Sequence, residues 1–208
     1  MDGKRSALKN IIAGGLTLVG VLMAGAMIDS SGVSGTCMFI LVPYFAAIAA
    51  VYPVLAVNRF GTGILVYLPY ALIGFFPLYY FDWLQSGALV GLWAVFVWSA
   101  TGPLIGACLD LTMALTSRLN KATRAITAGA VMQAATFFMI LLGFTFLYHP
   151  TAAGAGHLHF FNREWFFTLP WMAVNGAFGG YTAYSLISRS HAKESVPAGK
   201  TAGAAQYS

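Results

Sequence analysis

Charge is what this chain has least of. Asp, Glu, Lys and Arg together make up 8% of its 208 residues, against roughly 25% in a soluble domain. So few charges cannot furnish a water-facing shell, which excludes an ordinary soluble globule. Cysteine is almost as scarce. Cys37 and Cys108 fall near opposite ends of different apolar runs, so a disulfide framework and a thiolate metal cluster are both excluded. Both read as small buried hydrophobes. Of four histidines, none lies centrally in an apolar run, which excludes a haem held between facing helices. Also missing are a phosphate-cradling glycine loop, a His-Glu-x-x-His pair, a nucleophile elbow and any internal repeat.

What the chain has is hydrophobic length. Its composition is 59% hydrophobic, arranged as apolar runs over 8–28, 37–57, 61–81, 85–117, 124–147 and 165–187. Each reaches the ~20 residues that span ~30 Å of hydrocarbon. The basic residues sort by side. Lys4, Arg5 and Lys9 precede the first run, and Arg59 lies between the second and third. Arg118, Lys121 and Arg124 lie between the fourth and fifth; Arg189, Lys193 and Lys200 follow the sixth; only Arg163 falls opposite. That asymmetry predicts an all-α polytopic protein of the cell membrane, with six crossings and both termini cytoplasmic. The net charge of +5 then reports topology, and scattered charges of this kind exclude a nucleic-acid face. Residues 11–28 exceed a usual signal-peptide core and read as a retained first helix. Residues 1–189 form one transmembrane domain, and 190–208 a polar cytoplasmic tail.

Local features refine this plan. Gly20 and Ala24 in the first run make a small-xxx-small pair that admits a close helix neighbour, in this chain or another. The fourth run is too long for one straight span, at about 33 residues or ~50 Å. Thr101-Gly102-Pro103 in its middle predicts a break, with an outer segment near 85–103 followed by a crossing that carries Asp110. Pro43, Pro53, Pro69 and Pro77 predict kinked, closely packed helices.

Two sets of residues are candidates for chemistry. Asp110 sits within a span, where a carboxylate costs roughly 2.5–3.5 kcal/mol. It must be paired or protonated, facing protein or a cavity. Its role is either an ion- or proton-handling site or a structural hydrogen bond to a neighbouring helix, and Arg118 or Lys121 are within possible reach. The second set is His157, His159 and Glu164 in the connection before the last run. Imidazole and carboxylate together suit zinc, copper or iron, while an outer loop also carries such residues merely solvated. No other convergent ligands exist, so tightly bound copper held by this chain alone is not expected.

The order of motifs from the second to the fifth run resembles the A-type membrane subunit of the copper membrane monooxygenases, which oxidise ammonia, methane or short hydrocarbons. The likeness rests on Phe45-Ala46-Ala47, the turn Asn58-Arg59-Phe60-Gly61, the aromatic cluster Tyr79-Tyr80-Phe81-Asp82-Trp83, the segment Gly102 to Asp110, the basic turn Asn120-Lys121 and the ending Tyr148-His149-Pro150. It implies a subunit that holds no metal itself, with copper in partner subunits and Asp110 structural or adjacent to the site. It further implies other membrane and cupredoxin-like partners, arranged as a trimer of heterotrimers, in lipid. The chain also resembles the substrate-binding membrane component of energy-coupling-factor vitamin importers. Those proteins share six helices, cytoplasmic termini and a small-residue first helix like Ala13–Ala26, which meets their coupling partner.

Overall fold

The computed structural model describes residues 2–30, 36–74, 92–147 and 163–194, with side chains described over 4–25, 40–72, 99–139 and 168–190. These residues are all-helical, with no strand among them. Helix α1 is Asp2–Ser30, α2 is Thr36–Val57 and α3 is Thr62–Pro69, which continues into a π-helical turn at Tyr70–Gly74. Helix α4 is Leu92–Leu115, α5 is Lys121–Leu147 and α6 is Arg163–Glu194. The helices follow the order of the apolar runs, and residues 75–91, which end the third run and open the fourth and include the aromatic cluster Tyr79–Trp83, lie outside the described residues. Two of them contain segments long and apolar enough to cross a membrane by length and composition, Lys4–Gly25 and Ile40–Val57. Thr62–Leu72 and Ser99–Leu115 are shorter apolar stretches.

The expected break at Thr101-Gly102-Pro103 does not occur. Helix α4 runs unbroken from Leu92 to Leu115 with Pro103 inside it. A proline removes one backbone donor and crowds the preceding turn, but neighbouring helices can hold such a segment in place. Here Thr101 is buried and Gly102 lies against the Tyr70 ring. The helix widens instead after Pro69, where the π-helical turn begins, as a missing proline N–H permits. Helix α6 reaches Glu194 and so extends four residues past Ser190, into the segment read as tail.

Helix α2 is the hub. It packs against α1, α3, α5 and α6, and its inward face is Ala46, Ala47, Ala49, Ala50, Val51 and Val54. Such small residues let four neighbours approach one axis. Helix α5 meets α6 through Gly129 and Gly176, where an added Cβ on either would run into the other's backbone. Several polar side chains in the interior bond to backbone carbonyls. Gln133 is 2% exposed and donates to the Pro43 carbonyl at 2.9 Å, tying α5 to α2. Thr112 and Thr136 donate back to the carbonyls four residues earlier.

Large apolar side chains also cover the outside. Leu8, Ile12 and Leu16 on α1, Ile40 and Phe45 on α2, and Leu65, Leu68 and Leu72 around α3 are all exposed. So are Leu104 and Leu111 on α4, Ile126 and Phe138 on α5, and Trp171 and Phe178 on α6, the last two at 61%. The small-residue faces divide. Gly176, Gly179 and Gly180 on α6 are taken up by α5 and α2, and Gly14 and Gly15 on α1 by Pro53 and Pro69. A second stripe on α1, made of Ala13, Thr17, Gly20 and Ala24, is exposed. A Cβ placed on Gly20 would meet nothing within 4 Å.

Candidate functional site

The site lies at the end of the bundle where α2 passes to α3 and α4 passes to α5. Four helix termini meet there, and each leaves backbone groups to be satisfied. Helix α2 ends on Asn58, which adopts φ 50 and donates its backbone N–H to the Val54 carbonyl at 2.9 Å. Asparagine tolerates this left-handed ending better than most residues. Helix α5 starts with a local cap. The Asn120 side-chain oxygen accepts from the Thr123 N–H at 2.8 Å.

Helix α3 has no such local help. Its N-cap is Gly61 at φ 90, which has no side chain to offer. The cap arrives from α4. Asp110 is 2% exposed, and its carboxylate accepts from the Gly63 N–H at 2.8 Å and from the Ile64 N–H at 3.2 Å. Thr62 N–H donates to the Arg59 carbonyl, as does the Thr62 hydroxyl, and Leu65 N–H starts the helical ladder on the Gly61 carbonyl. The first turn of α3 is therefore fully satisfied, with one buried carboxylate serving two amides at the positive end of the helix dipole. The approach requires two glycines. A Cβ on Gly63 would lie 2.5 Å from the Gly106 carbonyl oxygen, and one on Gly106 would lie 2.5 Å from the Gly63 oxygen. Gly106 precedes Asp110 by one helical turn, so the residue that lets α4 come close is stacked directly below the one that caps.

The other end of the exchange uses Arg124. Its Nη2 donates to the Met113 carbonyl at 2.9 Å, which covers the C-terminal end of α4. Ser117 N–H and Thr116 N–H take the Ala114 and Thr112 carbonyls. The Nε of Arg124 is buried and has no acceptor among the described residues. Beside these groups lies a cavity of about 150 Å³, lined in part by Asn58, Arg59, Asp110, Ser117 and Arg124.

Asp110 accepts hydrogen bonds from a neighbouring helix, as a carboxylate within a span requires. Its partners are backbone amides, and the basic residues sharing its cavity are Arg59 and Arg124 rather than Arg118 or Lys121. His157 and His159 lie outside the described residues, as does the side chain of Glu164, whose backbone opens α6. Among the described residues no three His, Cys, Asp or Glu side chains converge as a metal site. Cys108 is a free thiol. Sequence reasoning missed Arg124 as a cap and Gly63 as a partner. The available signal was a helix start at Gly61-Thr62-Gly63 that carries no acidic or amide cap of its own, opposite a Gly-x-x-x-Asp on another helix. No family model matches this sequence, and no curated protein or solved structure matches it either.

Proposed function

We propose that this chain is a multi-pass, non-catalytic subunit of a membrane complex, crossing the bilayer six times with both termini cytoplasmic. The supporting observation is the distribution of side-chain size. All six helices expose Leu, Ile, Phe or Trp, while Ala, Gly and Val dominate the contacts between them. In water such a surface is a large aggregation-prone patch. In lipid, where tails are as apolar as leucine, helices associate through small residues that let backbones meet.

The subunit role is supported by the second stripe on α1. Ala13, Thr17, Gly20 and Ala24 repeat at a spacing of four, three and four, and no helix among the described residues covers them. The occupant we assign is a transmembrane helix of a partner subunit, with small residues on its own facing side. Two assemblies of this kind match the sequence readings. One is a copper membrane monooxygenase acting on ammonia, methane or a short hydrocarbon, with copper and cupredoxin-like domains in the partners. The other is an energy-coupling-factor importer, and the uncovered α1 stripe specifically favours it.

Co-purification from native membranes decides between them. A cupredoxin-like and a second multi-span protein recovered with the chain support the oxygenase. Two ATPases with a coupling protein support the importer. Recovery as a monodisperse, fully active monomer refutes the subunit role. Reporters fused after Ser190 and within 152–156 should report opposite sides of the membrane. The same side for both refutes the crossing number.

A further inference from the structure

We propose that the cavity beside Arg59 and Arg124 is a binding site for a small phosphate-class oxyanion. Size comes first. At about 150 Å³ the cavity is smaller than the ~300–1,000 Å³ sites that take drug-sized ligands, so it suits a single headgroup-sized ion.

Charge selects the sign. The charged residues among its described lining are Arg59, Arg124 and Asp110. The carboxylate is committed, because both oxygens of Asp110 accept amide hydrogens from α3. Helix dipoles cancel here. The starts of α3 and α5 each bring about half a positive charge, and the ends of α2 and α4 each bring about half a negative one. What remains is a surplus of about one positive charge, beside a space whose described lining includes no second carboxylate.

Hydrogen bonding selects the class. Arg124 spends one Nη2 donor on Met113, while its buried Nε–H has no acceptor among the described residues. Guanidinium forks match the spacing of phosphate oxygens. Asn58 and Ser117 line the same space and carry neutral donors. Phe60, which also lines it, is 74% exposed, so the cavity opens outward where an ion or a headgroup can enter. Phosphate reaches such a site from two sources, a soluble phosphate or a lipid headgroup.

The experiment uses the full chain in mild detergent and follows its thermal midpoint. One arm adds sodium phosphate against sodium chloride at equal ionic strength. The other adds phosphatidylglycerol against phosphatidylcholine in mixed micelles, and bears on the proposal only through the headgroup. A saturable rise with phosphate identifies a soluble-ion site, and a rise with phosphatidylglycerol alone identifies a lipid one. Arg124→Gln also removes the cap on α4, so Arg59→Gln carries the test. It should raise the half-saturating concentration about tenfold, while Arg189→Gln leaves it unchanged. Absence of a rise with both probes overturns the proposal. So does an Arg59→Gln protein that responds as the wild type does.

Discussion

Removing the Asp110 carboxylate should unzip the start of α3 before it disturbs anything else. The magnitude follows from the groups left behind. Asp110→Ala strands two amides, those of Gly63 and Ile64, beside a residue that is 2% exposed. A buried donor left unmet costs about 1–3 kcal/mol, so the pair costs about 2–6 kcal/mol. In a protein of this length about 1 kcal/mol moves the thermal midpoint by about 2–4 °C. The minimum expected loss is therefore about 4 °C. Asp110→Asn keeps one side-chain oxygen as an acceptor and forfeits the charge, so its loss should be no more than about half as large. Asp110→Leu strands the same amides and adds bulk against Gly63, where an added atom already meets the carboxyl group at 3.1 Å. Its loss should exceed that of Asp110→Ala. Thermal unfolding in detergent gives the ranking, and amide hydrogen exchange gives the location. Gly63 and Ile64 should lose protection in Asp110→Ala while the Thr123 amide, capped locally by Asn120, keeps its own. An Asp110→Ala protein within 1 °C of wild type, or one whose exchange rises equally at both places, refutes the capping argument.

Other outcomes follow from the same packing. Gly106→Ala should destabilise the chain by about 1–3 kcal/mol, because its Cβ meets α3 backbone that cannot give way. Gly20→Ala meets nothing within 4 Å, and should leave the isolated chain's thermal midpoint within about 1 °C of wild type or slightly raise it through helix propensity. Gly20→Leu should leave that midpoint similarly intact but reduce the yield of co-purified partners severalfold; equal yields would remove α1 as the docking helix. Metal analysis of the isolated chain should find copper well below one equivalent, and stoichiometric copper lost on His157→Ala or His159→Ala would overturn that expectation. Gln133→Leu should cost about 0.5–1.5 kcal/mol by deleting the bond to Pro43, readable as a lower thermal midpoint.

Sequence by itself determined the parts list of this protein. Hydrophobic run length predicts helices over strands, and the observed α1, α2, α5 and α6 fall on the expected runs, because a helix satisfies its backbone within its own segment wherever water cannot reach it. The cost of a buried carboxylate likewise marked Asp110 as a residue that must have a partner. Tertiary structure decided who that partner was. Helix α3 is capped from 47 residues away, and no local pattern encodes an acceptor carried by a different helix. The small-residue faces show the same division. Gly176 and Gly20 are equally legible as points of close approach, yet one is filled by α5 and the other by nothing among the described residues, since which face turns inward depends on how the helices pack together. By sequence alone Pro103 predicts a break, because a proline interrupts an isolated helix. It became an interior residue of α4 because Tyr70 packs against the adjoining glycine, and only packing between helices could supply that support.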